Sequence, residues 1–220
     1  MRAFPVTVGG APVRQTDATA CGSACLLMLA ATGDPALLRW VEDGTVPHGG
    51  RPEIPAGTYG TPAARLGAAQ RRIHRRSARR GLGPLPWPQA LGTSPWAAAR
   101  LARFPGVSYH AMAVAERGER AALDMVANAV EAGAPVLLYV GGTLAQGVGA
   151  ALPRHVVLAV PGPARTTSSG RTVISLYEPG GGRVHEVTLE ELAGRATPHP
   201  AFGNWTALQW MVYPSPERNA

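Results

Sequence analysis

The first sustained apolar run, residues 24–31 (Ala-Cys-Leu-Leu-Met-Leu-Ala-Ala), holds no proline and no charge. It predicts a buried helix over 19–32, closed by Gly33 and by Pro35 just beyond it. Asp17 and Thr19 are the expected caps, because short oxygen side chains satisfy the free N–H groups of a first helical turn. Residues 35–42 read as a second short helix with proline at its start. Over 62–80, Leu66 and Ile73 stand one heptad apart with arginines on the other faces, which predicts a helix with a thin apolar stripe. Ser94-Pro95-Trp96 opens another helix, running to about Arg103. Pro/Gly-rich loops fill 44–60 and 81–93, and residues 1–14 read as an extended lead-in.

The pattern changes after residue 118. Leu123, Val126, Ala127 and Val130 share one face of a helix over 119–132, which Gly133 ends. Branched and aromatic runs then predict strands at 135–140, 154–160, 172–177, 183–187 and 205–213, with a small-residue loop over 141–153. Thr188-Leu-Glu-Glu191 has the form of a capping box, so a short helix starts there. Short connections between strands favour antiparallel pairing. The expectation is one α+β domain over 1–220, with a helical lobe over about 1–118 and an antiparallel sheet lobe over about 119–220.

Composition narrows the function classes. The chain has 220 residues and is 45% hydrophobic and 16% charged, which is a globular composition with enough length for a real core. The net charge is +7 and every basic residue is arginine. Abundant Gly, Pro, Ala and Arg are as much the mark of a GC-rich, bacterial genome as of function, so the basic balance alone does not imply nucleic acid. Two cysteines four residues apart make no disulfide framework and point to a reducing, cytoplasmic setting. No signal-peptide core and no run of ~18 apolar residues is present, so no membrane span is expected. His48, His74, His110, His185 and His199 have no metal-ligand spacing, and no phosphate-cradling glycine motif occurs, so no metal and no cofactor is expected. The arginine-rich run 71–80 reads first as a solvated helix face, and second as a surface for phosphates or an acidic substrate.

The candidate chemistry starts at Gln15-Thr-Asp-Ala-Thr-Ala-Cys21-Gly22-Ser-Ala-Cys25. Cys21 falls in the first turn of the first helix, where free N–H groups and the dipole favour the nucleophilic thiolate. Gln15 lies six residues earlier and can bring a side-chain amide beside the sulfur. With the Cys21 N–H it would make a two-donor oxyanion hole. Cys25, one turn further on, reads as core.

This spacing resembles that of the papain-like cysteine peptidases, in which Gln, five residues and Cys-Gly open the central helix. Within them it is most similar to the bacteriocin-processing, double-glycine peptidases and their stand-alone relatives. The resemblance implies a papain-like fold, a helical lobe packed on a sheet lobe, and a catalytic histidine opening a strand roughly 130–150 residues after the cysteine. His155 lies 134 residues after Cys21 and opens the strand Val-Val-Leu-Ala-Val. In the family an Asp, usually followed by Pro, ends the next strand. Here Tyr177-Glu178-Pro179 holds that place, so Glu178 stands for the Asp with one methylene more, and Ala20 stands where the family usually has Asp before the cysteine. Asn204-Trp205 reads as a turn and a core tryptophan. The implied activity is hydrolysis of a peptide or protein substrate by Cys21, His155, Glu178 and Gln15. The alternatives are acyl or amide transfer with the same thiol, and a peptide-binding module on a degenerate site. The sequence sets no oligomeric state.

Overall fold

Seven strands form one antiparallel sheet, with four helices packed over one face and one main helix on the other. The computed structural model describes residues 1–79, 85–114, 118–142 and 153–216. Arg80 and residues 143–152 of the expected small-residue loop lie outside these. The chain runs β1 (Arg2–Pro5), a two-stranded ribbon of β2 (Thr7–Val8) and β3 (Ala11–Pro12), α1 (Cys21–Gly33), α2 (Pro35–Asp43), α3 (Pro62–Arg79), α4 (Pro95–Leu101) and β4 (Val107–Ala113). It continues through α5 (Glu119–Glu131), β5 (Val136–Gly141), β6 (His155–Thr166), β7 (Thr172–Glu178), β8 (Arg183–Thr188), α6 (Leu189–Leu192) and β9 (Ala207–Pro216). The strand order is β1-β8-β7-β6-β5-β9-β4. The architecture is α+β, a mixed helical and antiparallel fold.

Strand alternation builds two cores. From β5, Leu137 and Tyr139 pack on the α1 side, and Val136, Leu138 and Val140 on the α5 side. From β6, Val156 and Leu158 join the first core, and Val157 and Ala159 the second. Both faces of the central strands are therefore dry, which is why 135–140 and 154–160 read as continuous apolar runs and not as alternating ones. α1 is buried nearly all round, packed on β6 and on α2, α3 and α4. Fully burying each of Leu26, Leu27 and Leu29 contributes roughly 1.5–3 kcal/mol.

Two differences from the sequence expectation concern the sheet edges. Both outer strands come from the part of the chain expected to be a helical lobe. β1 pairs with β8, and β4 pairs with β9. The N-terminal lead-in is thus a strand, and the division near residue 118 separates the middle of the sheet from its rims. A third difference is the start of α1. Asp17 does not cap it. Its Oδ1 accepts instead from the N–H and hydroxyl of Thr19, at 2.9 and 2.7 Å, in a local turn. The cap position is Ala20, with no side-chain bond to the helix. The other caps follow expectation: Ser94 accepts from the Ala97 N–H, and Thr188 and Glu191 form the reciprocal capping box.

Asp34 joins α1 to α2 and is almost wholly buried. It caps α2 through the N–H groups of Ala36 and Leu37, pairs with Arg51, and lies 2.9 Å from Arg103, which forks onto Glu53. Burial opposes this charge, but the Arg51 hydrogen bond, the Leu37 N–H and Arg103 together hold the carboxyl below its ordinary range. Asp34→Ala removes a cap and the carboxylate partner of Arg51, and is expected to lower unfolding stability by about 2–4 kcal/mol in urea titration. Asp34→Asn should recover only the capping share, about 1 kcal/mol. A loss below about 0.5 kcal/mol for the alanine variant would contradict this account of the junction.

Candidate functional site

Cys21 is the first residue of α1 and is buried at the end of the sheet. Because Ala20 offers no side-chain oxygen, the N–H groups of the first turn stay free for an incoming acceptor. Gly22 has to be a glycine: a Cβ there would stand 2.8 Å from the Cβ of Thr93, which closes over the helix start.

His155 opens β6 and Glu178 closes β7. The strands are antiparallel, with Leu158 opposite Tyr177, so the two ends meet at one rim. His155 Nε2 lies 2.8 Å from Glu178 Oε1. The Cys21 thiol is near enough to the same imidazole to act on its charge. With Nε2 taken by the carboxylate, Nδ1 is the nitrogen left for sulfur. Burial works against a charged imidazole, but Cys21 and the Glu178 carboxylate, which accepts from the ring, outweigh it and raise His155 to about 9. Burial likewise penalises the Glu178 carboxylate, and the bond from His155 and the Gly181 and Gly180 N–H groups more than offset it, holding it below its ordinary value.

The extra methylene of Glu178 is absorbed by the loop that follows. Oε1 accepts from the Gly180 N–H at 2.7 Å, and Oε2 from the Gly181 N–H at 2.6 Å. A Cβ on Gly180 would stand 2.9 Å from Oε1, and one on Gly181 3.1 Å from Oε2. The carboxylate therefore folds into space that only missing side chains leave open. On the other side of the ring, a Cβ on Gly203 would lie 2.4 Å from His155 Cδ2, so the backbone there backs the imidazole directly. Gly203 also has φ +61, a left-handed conformation that glycine adopts without strain.

The lead-in strand ties Gln15 to the same corner. The Gln15 N–H donates to the Pro179 carbonyl at 2.9 Å, and the Tyr177 hydroxyl to the Val13 carbonyl. Gln70, buried on α3, accepts from the Thr16 N–H and donates to the Arg14 carbonyl. The Gln15 side chain donates one N–H to the Asp17 carbonyl, at 2.9 Å. That bond fixes the amide nitrogen toward Asp17 and leaves its second N–H uncommitted.

The structure thus pairs His155 with Glu178, sets Cys21 close enough to act on the same ring, and ties Gln15 to this corner through the Pro179 carbonyl. Cys25 is fully buried, donates to the Val156 carbonyl, and has its thiol pushed well up by burial. Asn204 sits in a turn with φ 67, and Trp205 packs half-buried against the second core. No group of three metal-ligating side chains occurs among the described residues. Sequence reasoning missed the roles of Gly180, Gly181, Gly203 and Gln70. The Pro-Gly-Gly-Gly run after Glu178 was a usable signal, since three glycines exceed what a strand reversal needs.

No protein-family signature matches the chain, and no curated protein sequence matches it. No single helix among the described residues is long and apolar enough to cross a membrane.

The raised imidazole has a stability consequence. The folded chain keeps the His155 proton up to about 9, whereas the unfolded chain releases it near 6.5. The contribution is fully present below 6.5 and is lost as pH rises through about 9. Glu178→Gln should move the His155 titration, followed by NMR, down toward 6.5 and flatten that part of the stability profile. Gly180→Ala should shift it in the same direction by displacing the carboxylate. An unchanged titration in both variants would show that Glu178 does not govern the ring.

Proposed function

We propose that this chain is a papain-like cysteine peptidase that hydrolyses a peptide bond with Cys21 as nucleophile. One observation carries the reading: the Glu178 carboxylate holds His155 Nε2 at 2.8 Å, and the Cys21 thiol acts on the same imidazole. A thiol, a base and a group orienting the base are what covalent acyl transfer requires.

The chemistry follows from these positions. With the proton already resting on the His155 imidazole, Cys21 attacks the carbonyl carbon as the sulfur anion, and the carbonyl electron pair moves onto oxygen. That oxyanion is received by the Cys21 N–H at the uncapped helix start and by the second amide N–H of Gln15. The imidazolium, stabilised by Glu178, donates its Nδ1 proton to the leaving amine as the C–N bond breaks. A thioester remains on Cys21. Water, losing a proton to His155, then attacks the thioester and releases the acid. The long Glu178 is no obstacle, because the glycine loop holds its carboxylate by two N–H groups.

Two outcomes are expected with a fluorogenic peptide pool. Cys21→Ala should abolish turnover and leave thermal unfolding nearly unchanged, whereas Cys25→Ala should keep most activity. Equal loss in the two variants would mean that the helix start is only structural. Gln15→Ala should lower kcat by roughly a hundred- to a thousandfold with little change in KM, because the donor acts on charge that develops after binding. A change of kcat within about twofold would remove Gln15 from the oxyanion hole. For the wild type, kcat/KM should fall as pH rises through about 9, where the imidazolium that protonates the leaving group is lost.

A further inference from the structure

The arginines of α3 divide into two sets. Arg65 is buried and donates to the carbonyls of Val41, Glu42 and Tyr59. Arg72 and Arg76 both donate to the Pro52 carbonyl and pin the long loop before α3. Arg71, Arg75 and Arg79 make neither a hydrogen bond nor an ion pair among the described residues and are exposed, and of these Arg71 and Arg75 line the cleft described next. They stand four residues apart on one face, an arrangement of like charges that works against helix stability. α3 itself contains no acidic residue to relieve it.

The cleft that Arg71 and Arg75 line has a volume of about 350 Å³, and its other walls include Asp17, Thr19, His74 and Gln89. Thr19 on the cleft wall is two residues before Cys21, so their Cα atoms are within roughly 8 Å. The opposite wall is close too: a Cβ on Gly92, at the end of the turn that Gln89 opens, would stand 3.3 Å from the Thr19 carbonyl oxygen. Asp17 forms no ion pair with either arginine. Its carboxylate is occupied by the Thr19 N–H, by the hydroxyls of Thr16 and Thr19, and by the field of His74. His74 is turned to the Gln89 carbonyl. Two arginines and one carboxylate leave the cleft one positive charge in excess.

We propose that this cleft is a specificity subsite for an acidic side chain of the peptide substrate, held by Arg71 and Arg75 one to three residues from the scissile bond. The proposal rests on the peptidase reading for its substrate. A spacing of one to three residues matches an extended peptide that rises about 3.3 Å per residue past Cys21. A guanidinium pair suits a carboxylate, which it can grip with two parallel N–H bonds. The small excess of charge and the limited volume suit one or two acidic side chains. A nucleic-acid backbone needs an extended basic stripe that tracks many phosphates.

The test uses two peptide pools that differ only in carrying Glu or Gln at one position and are otherwise uncharged and randomised. The pools are passed over immobilised Cys21→Ala protein at low ionic strength, and retained peptides are counted by mass spectrometry. The Glu pool should be enriched about tenfold or more, and the ratio should fall close to one in roughly 0.5 M salt. It should also fall close to one when Arg71→Gln and Arg75→Gln are added, with the melting temperature confirming the fold. Initial rates of the wild-type enzyme on the two pools should show the same ratio. Equal retention of the pools, a preference that survives in the arginine variant, or a DNA duplex retained as tightly as the Glu pool would each overturn the proposal. Enrichment of the Glu pool without hydrolysis of either would uphold the subsite and instead count against the peptidase reading.

Discussion

Glu178 is the constraint on which the corner of this molecule depends. Its carboxylate accepts from three donors, the His155 ring and the N–H groups of Gly180 and Gly181, while standing almost wholly out of water. An unpaired carboxylate in that position would be costly, so the donors are not optional. Those three bonds fix the ring, the ring meets the thiol, and the loop carrying the two glycines is stitched to Gln15 through Pro179. A change at any of these places is felt at the others.

The larger architecture delivers the parts to that corner. α1 is rigid because nearly every residue in it is buried between the sheet and three other helices, so its first residue is held in place. β6 and β7 are inner strands of the sheet, buried on both faces near His155 and Glu178, and their paired ends are correspondingly well fixed. Groups that must keep a bond of about 2.8 Å are best carried on such elements and not on free loops. The uncapped start of α1 is the complementary feature. Stability at a helix end is given up there, and polar N–H groups are left for an acceptor.

Much of this was legible in the sequence because the period of the apolar pattern is a local property. The helices over 35–42, 62–80 and 119–132 and the central strands fall where the pattern puts them, within a residue or two at most boundaries. His155 and Glu178 could be paired on paper because each sits at a strand end, and antiparallel neighbours bring such ends together. The edges were not legible. β1 contains Pro5 and is mostly exposed, and it is a strand only because β8 lies beside it. The capping role expected of Asp17 and Thr19 failed for a local reason: a carboxylate two residues before a threonine can bond that residue instead of the helix. The glycines at 180, 181 and 203 matter through what a Cβ would strike, and that depends on contacts between segments distant in the chain.

Activation of Cys21 by His155 and Glu178, if it operates, shows in the rate at which iodoacetamide modifies Cys21 near neutral pH, followed residue by residue by mass spectrometry. Cys21 should react at least about tenfold faster than the thiol of free glutathione, and His155→Ala should remove that advantage in a protein that still folds. A Cys21 that reacts no faster than glutathione, or at the same rate with and without His155, would contradict it.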